Sequence, residues 1–324
     1  MKLRGLFVGL GLFLGVLIAS ALYADLERLT QVTLHYPLER IWPALALALG
    51  NYAVRTIRFR YYMGQLRVQL GWLESWLVFV SGFLFTISPG KMGEVYKAWL
   101  LKKRHDVAMT ETTTAVIAER FTDTVGLLAI AAVGVAHHGA HIGLFITVVC
   151  LCVGFLGVVV HPSALPRLCD WLASGWLGRT RWAKPVATVR HMHGVMRILC
   201  TPRTLLIGIA LAATAWLLEC LAFRVLLDGV GAGGGHSEAI VVYAMATLFG
   251  AVSMLPGGVG STEAVMVALC LQDTFRFDLV PAEATLVTLL IRLTTLWFAV
   301  GLACLCLLAL RRLPATQRPS PDGA

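Results

Sequence analysis

Long apolar stretches separated by short polar segments are the feature that most limits how this chain can fold. A helix needs about 20 apolar residues to cross the hydrocarbon core of a membrane, and within that core it satisfies its own backbone hydrogen bonds. Stretches of this length lie at about 5–24, 40–60, 110–136, 140–160, 203–229 and 282–310. Charged residues make up only 14% of the chain. The sequence therefore predicts an all-α polytopic membrane protein with about six transmembrane helices.

Two further apolar runs, at about 72–88 and 238–255, each end in the pattern Pro-Gly-x-x-Gly. The residues of the two copies, with the glutamate that follows the first, are Pro89, Gly90, Lys91, Gly93, Glu94, Pro256, Gly257, Gly258 and Gly260. Proline and glycine interrupt helices, and broken backbone at membrane depth persists only inside protein or beside a water-filled cavity. A pair of such interruptions in two corresponding halves indicates the binding site of a transporter.

Basic residues are sorted between the predicted loops. They cluster near the N-terminus, at Lys102–Arg104, within 162–203 and at Arg311–Arg312, whereas the loop at 136–140 has none. Because cytoplasmic loops are rich in lysine and arginine, we expect a multi-pass cytoplasmic-membrane protein with both termini in the cytoplasm. The same rule returns the chain to the cytoplasmic side after the first motif. Both motifs are therefore predicted to form re-entrant hairpins, which enter the membrane from opposite faces.

The motifs belong to a longer internal repeat. Matched arginines lie 31–36 positions from the prolines of both copies: Arg58 and Arg120 in the first, Arg224 and Arg292 in the second. With the topology, this spacing predicts inverted pseudo-repeat halves at about 40–161 and 203–310, an arrangement found in transporters. An amphipathic cytoplasmic segment at 162–202 joins them within a single membrane domain, residues 1–324. The alternative interpretation, that Pro-Gly pairs simply end helices, leaves the matched arginines unexplained.

The N-terminal segment has two interpretations. Lys2, Arg4, an apolar run and Ala19-Ser20-Ala21 resemble a cleavable signal peptide. The apolar run is longer than the usual signal core, so we predict an uncleaved first helix.

Charged residues inside the predicted spans indicate an anion-binding cavity. An arginine at the bilayer centre costs about 2.5–3.5 kcal/mol, so Arg120 and Arg292 each need a carboxylate partner or an anionic ligand. The helix starts that follow Gly93 and Gly260 offer free N–H groups and the positive end of a helix dipole. Together these features predict a site for a phosphate-bearing lipid head group. In the alternative interpretation, the arginines only pair with Asp123 and Glu263 to hold the helices together, and both interpretations can hold in different states.

The complete predicted site has three groups of residues. Lys97, Arg120 and Arg292 join the motif residues in binding the head group. Glu119, Asp123 and Glu263 are charge partners or proton carriers. The supporting residues are Asn51, Arg55, Arg58 and Arg224.

The order of these motifs resembles that of the lysylphosphatidylglycerol synthase transmembrane-region superfamily, a flippase-like membrane domain. The resemblance covers nearly the whole chain and rests on Asn51–Tyr62, Pro89–Lys97, Ala118–Asp123, Leu255–Glu263 and the span around Arg292. It implies a function in moving or handling anionic lipids between leaflets, including aminoacyl-phospholipids, polyprenyl-linked sugars and hopanoid-type lipids. Full synthases append a soluble aminoacyl-transfer domain, and this chain stops after its last span, so we expect no synthase activity.

The favoured hypothesis is therefore a lipid flippase or transporter. The main alternative is a non-transporting membrane protein whose basic segment at 162–203 recruits a glycosyltransferase or a lipid-synthesising enzyme. An intramembrane enzyme would need a nucleophile beside a base, and no histidine lies near the motifs or Arg120, so no enzymatic activity is predicted.

Other ligand classes are not supported by the sequence. The eight cysteines lack metal or redox spacing, and His137, His138 and His141 have no nearby carboxylate or cysteine. No metal or other cofactor is therefore predicted. The net charge of +9 follows the membrane topology instead of marking a nucleic-acid surface.

Overall fold

The computed structural model describes residues 26–86, 92–138, 142–161, 183–253 and 255–312, with single residues at 11, 15, 165, 167 and 171. Within these residues the chain is helical and contains no strand, which confirms the predicted all-α class. Three predicted features lie largely or wholly outside the described residues: the first span at 5–24, the turn of the first Pro-Gly motif, and the segment at 162–182.

Twelve α-helices have described bounds. In chain order they are α1 (Leu26–His35), α2 (Ile41–Gln65), α3 (Trp72–Ser81), α4 (Met92–His105), α5 (Met109–His138), α6 (Ile142–Val160), α7 (Ala183–Leu199), α8 (Pro202–Asp228), α9 (His236–Val252), α10 (Ser261–Cys270), α11 (Pro281–Arg292) and α12 (Phe298–Arg312). A 3-10 turn, Gly82–Phe85, extends α3, and a π-turn, Leu293–Trp297, makes α11 and α12 one continuous helix.

The predicted spans after the first coincide with helices α2, α5, α6, α8 and α11–α12. Among the residues described, two helices are both long and apolar enough to cross a membrane, Pro202–Asp228 and Pro281–Arg312. Helices α2 and α5 contain 25 and 30 residues but carry several charged side chains, which lowers their mean hydropathy. Helices α4 and α10 are short, with 14 and 10 residues.

The two halves of the chain pack against each other in a reciprocal way. Helix α8 lies along α2 and α5. The helix that leads into each motif packs on a helix of the other half, α3 on α12 and α9 on α5. Large side chains fill the spaces between these helices, and among them Phe59, Tyr62 and Phe223 are fully buried. The apolar core therefore extends across both halves.

Glycine backbone shapes the turn of the second motif. Gly257, Gly258 and Gly260 have φ angles of 62°, 66° and 92°, which other residues adopt only with strain. A Cβ at Gly258 would lie 2.6 Å from Thr262 Oγ1. This backbone ends the 3-10 turn Pro256–Gly258 and allows α10 to begin at Ser261.

Candidate functional site

A cavity of about 520 Å³ lies between the two halves. Residues from α2, α5, α8, α9 and α11 line it, together with residues beside both Pro-Gly motifs. The charged side chains in its wall are Arg55, Lys97, Arg120, Asp123, Glu219 and Arg292. Sequence analysis had singled out all of these except Glu219, and the fold brings them from distant parts of the chain to one cavity.

Asp123 is the centre of a group of arginines. Its Oδ1 lies 2.8 Å from Arg58 Nη2 and 3.9 Å from Arg55 Nη2, and its Oδ2 lies 3.6 Å from Arg120 Nη1. Arg58 is 1% exposed and also donates from Nη1 to Thr122 Oγ1 over 3.3 Å. Arg58 therefore fastens α2 to α5, and the contact with Arg120 agrees with the predicted i, i+3 relation.

Arg55 lies differently from Arg58, although both are on α2. Its guanidinium carbon is 4.5 Å from the centre of the Trp216 ring, a position that favours a cation. Arg55 is buried, and its Nε and Nη2 have no hydrogen-bond partner among the described residues. A buried guanidinium with unfilled donors is costly unless another acceptor binds it. Arg55 is thus the cavity side chain with the clearest capacity for an anion.

Lys97 and Glu119 connect the first motif to α5. Lys97 Nζ donates to Glu119 Oε2 over 2.9 Å, and both residues are buried. The ammonium group also lies 4.7 Å from the centre of the Phe79 ring. Glu119 therefore turns away from its neighbour Arg120, as its position on the helix predicted, and its partner comes from α4.

Arg292 and Glu263 make the corresponding connection in the second half. Arg292 Nε donates to Glu263 Oε1 over 2.6 Å, and Arg292 Nη2 donates to Gly257 O over 2.6 Å. Glu263 Oε2 accepts the Gly260 N–H over 2.7 Å. The sequence analysis predicts that the N–H groups at this helix start are free to bind a phosphate. The structure corrects this for the Gly260 N–H, because the glutamate three residues later caps it first.

Glu219 is the cavity residue that sequence analysis missed. It is 8% exposed on α8, and its Oε2 accepts a hydrogen bond of 2.6 Å from the Tyr243 hydroxyl. A lone carboxylate inside an apolar span is itself a functional signal, and it could have been found at this position. Trp216, one turn earlier on the same helix, gave no such signal because tryptophan is ordinary in an apolar span.

The remaining predicted residues lie at several places. Asn51 lines the cavity and donates from Nδ2 to Ala215 O over 2.7 Å, which joins α2 to α8. Arg224 lies outside the cavity lining. It stabilises the turn after α8 through Asp228 Oδ1 at 2.6 Å and Gly233 O at 2.8 Å. Pro256 opens the 3-10 turn of the second motif.

Part of the first motif cannot be compared with the prediction. Pro89, Gly90 and Lys91 lie outside the described residues. Gly93 and Glu94 lie in the first turn of α4, where the structure describes the backbone.

Known proteins are similar to this chain over most of its length. The sequence pattern of the lysylphosphatidylglycerol synthase TM region matches residues 6–303. A UPF0104 membrane protein of Methanothermobacter thermautotrophicus is 28% identical over 249 residues, which cover 70% of this chain and 73% of that protein. A second UPF0104 membrane protein of that organism is 24% identical over 234 residues, which cover 66% and 68%. The family match includes every charged residue of the cavity wall.

Proposed function

Because the chain belongs to the lysylphosphatidylglycerol synthase TM-region family of membrane proteins, we propose that it is a lipid flippase. In this proposal the cavity binds the phosphate of an anionic lipid, and the protein carries the head group between the leaflets. Phospholipids, polyprenyl-phosphate-linked lipids and hopanoid-type lipids that bear phosphate share the required chemistry. The observation that carries the proposal is the buried guanidinium of Arg55, whose unfilled donors lie in the wall of the cavity.

The charge of the cavity wall supports an anionic ligand. Among the described residues, four cationic side chains line the cavity with two carboxylates, Asp123 and Glu219. Arginine presents a planar fork of donors that matches phosphate. Glu119 and Glu263 neutralise Lys97 and Arg292, and a phosphate would compete with these carboxylates for the same donors. Because that exchange would leave a buried carboxylate without its cation, Arg55, whose donors are unfilled, is the main contact of the proposed phosphate.

The short helices support the proposed hairpins. At about 1.5 Å per residue, α4 and α10 are about 21 and 15 Å long, shorter than a hydrocarbon core of about 30 Å. We therefore propose that α3–α4 and α9–α10 are re-entrant hairpins from opposite faces, with both chain termini in the cytoplasm and the protein in the cytoplasmic membrane. Cavity-lining residues beside both motifs, Thr86 and Gly257, support tips that meet at the head-group site. Alternate opening of the hairpins would expose that site to each leaflet.

An apolar edge of the cavity gives the acyl chains a path. Leu151 on α6 and Val252 at the end of α9 line the cavity and are 66% and 59% exposed. Leu255, before the second motif, is 42% exposed in the same lining. We propose that lipid tails pass this edge and remain in the membrane while the head group crosses inside.

The test is transfer of fluorescent phosphatidylglycerol between the leaflets of liposomes that contain the purified protein. The wild type is expected to accelerate transfer. Arg55→Ala is expected to lower the rate by about ten- to a hundredfold, since it removes charge-assisted hydrogen bonds of about 1.5–3 kcal/mol. Arg40→Ala, at an exposed arginine outside the cavity, is the matched control and should transfer lipid at the wild-type rate.

The other outcomes distinguish the competing functions. Chemical turnover of the lipid would contradict the proposal and indicate an enzyme. Absence of both transfer and turnover would favour the non-transporting partner of a glycosyltransferase or lipid-synthesising enzyme. Equal transfer rates of the wild type and a folded Arg55→Ala variant would show that Arg55 does not bind the head group.

A further inference from the structure

Glu219 is a buried carboxylate that the transport scheme above does not use. It lines the cavity, and the hydroxyl of Tyr243 donates to it over 2.6 Å. The other carboxylates around the cavity, Glu119, Asp123 and Glu263, each lie within 2.9 Å of a lysine or arginine nitrogen. In the part of the chain that the structure describes, Glu219 has no cation within salt-bridge distance. It is therefore the carboxylate whose charge is least compensated locally.

Groups from four neighbouring helices face Glu219. The charged and titratable side chains that act on it are Arg55 and Tyr52 from α2, Asp123 from α5, Tyr243 from α9, Arg292 from α11 and the adjacent Cys220. The two arginines among them attract a carboxylate, but neither lies within salt-bridge distance of Glu219. Arg292 is bound by Glu263, and Arg55 lies against Trp216. A carboxylate in such a place exists either as an ion held by Arg55 from a distance or as a neutral acid.

We propose that Glu219 is a proton-binding site that couples protonation to the binding of a lipid phosphate at Arg55. The proposal rests on the function proposed above and deepens it by naming the coupling ion. Ionised Glu219 attracts the guanidinium of Arg55 and repels an incoming phosphate. When a proton from water in the cavity forms an O–H bond with the carboxylate, both effects vanish and Arg55 becomes available. Proton and phosphate therefore bind cooperatively.

Cooperativity of this kind is reciprocal. If protonation strengthens lipid binding, lipid binding strengthens protonation by the same factor. A loaded protein then carries one proton with each lipid, and the proton returns to water when the head group leaves. No covalent bond of the lipid breaks. Asp123 does not replace Glu219 in this role, because Arg58 holds it at 2.8 Å.

The test measures binding of short-chain phosphatidylglycerol to the purified full chain from acidic to alkaline pH. For the wild type we expect Kd to rise with pH by at most about tenfold per pH unit, since one proton is exchanged. Glu219→Gln carries a neutral side chain of the same shape, so it should bind at the wild-type acidic limit throughout. Glu39→Gln, at an exposed carboxylate, is the matched control and should keep the wild-type pH dependence.

A second variant keeps the carboxylate and tests its environment. Tyr243→Phe removes the hydrogen bond to ionised Glu219, which favours the protonated form. Its Kd should therefore rise only at a higher pH than that of the wild type. An unchanged pH dependence in Glu219→Gln, or loss of binding at every pH in the folded variant, would overturn the proposal.

An infrared pH titration separates this proposal from the proposed function. The carbonyl band of a protonated carboxylic acid should be present in the wild type and missing in Glu219→Gln, whether or not lipid binds. If the wild type binds no phosphatidylglycerol at any pH, the proposed function fails for this lipid. The carbonyl band alone then shows whether Glu219 binds a proton. A wild type without a band assignable to Glu219 refutes the proton site.

Discussion

The arginines in and beside the cavity wall have different partners and therefore different roles. Arg58 is 1% exposed and lies against Asp123 and Thr122. Arg292 lies between Glu263 and the carbonyl of Gly257. Arg55 instead presents unfilled donors. Removing a cation from a buried pair leaves an uncompensated charge, so we expect the first two arginines to stabilise the fold, whereas Arg55 keeps donors for the proposed ligand.

Replacement of Arg292 tests this division. Arg292→Leu leaves buried Glu263 without its cation, and we expect a loss of about 3–5 kcal/mol in stability. The double variant Arg292→Leu with Glu263→Gln removes both charges and keeps an oxygen to accept the Gly260 N–H. It should therefore be more stable than the single variant. The measurement is the thermal midpoint in detergent, followed by size-exclusion chromatography.

Arg40→Leu, at an exposed position, is the control for loss of an arginine and should unfold like the wild type. A single Arg292→Leu variant with wild-type stability but no lipid transfer would assign Arg292 to the ligand instead of the fold.

At the scale of elements, the second motif is a glycine turn that hydrogen bonds with Glu263 and Arg292 hold in place. Its three glycines have positive φ angles, Glu263 caps the helix that follows, and Arg292 holds the carbonyl of Gly257. The turn also lies close to α9, since a Cβ at Gly258 would lie 3.4 Å from Gly250 Cα. A side chain in this turn therefore affects both arms of the proposed hairpin.

Gly258→Ala is expected to destabilise the protein by about 1–3 kcal/mol, because a residue with a Cβ is strained at positive φ. The added Cβ would also lie 2.6 Å from Thr262 Oγ1. Gly64→Ala is the matched control: it lies within α2, where a Cβ meets nothing within 4 Å, and helix propensity favours alanine by up to about 1 kcal/mol. Thermal midpoints of the two variants relative to the wild type decide the comparison, and equal midpoints would show that the turn tolerates a Cβ.

At the scale of the whole molecule, reciprocal packing makes each half depend on the other. Helix α3 packs on α12 and α9 packs on α5, while α2 and α8 pack against each other. An inverted repeat with two opposed hairpins is the topology that we propose for this packing. It places the end of α4 on the cytoplasmic side and the turn after α10 on the opposite side.

Accessibility of single cysteines tests this topology. In a variant without the eight native cysteines, an impermeant maleimide should label Lys103→Cys and Arg312→Cys from the cytoplasmic face. Asp273→Cys should be labelled from the other face. All three positions are exposed, and labelling after solubilisation is the control for reactivity. Labelling of Lys103→Cys and Asp273→Cys from the same side would exclude opposed hairpins.

The sequence determined where the helices run and which charged residues lie within them. The predicted spans rest on apolar length and on the need to satisfy backbone hydrogen bonds in a membrane. They coincide with helices α2, α5, α6, α8 and α11–α12, of which α8 and α11–α12 are long and apolar enough to cross a membrane. The cost of charge in an apolar span marked Arg120, Arg292 and Asp123 as site residues. Helical periodicity also predicted that Asp123, and not Glu119, shares the face of Arg120.

The pairs Arg120–Asp123 and Arg292–Glu263 agree with the sequence analysis, and only the tertiary structure decided the other partners. Glu119 meets Lys97 of α4, Glu263 also accepts the Gly260 N–H, and Arg55 meets Trp216. Periodicity gives the face of one helix, but a partner on another helix depends on how far the two helices slide and rotate when their side chains pack. For the same reason only the packing of α2, α8 and α9 showed that Arg55 and Glu219 line one cavity.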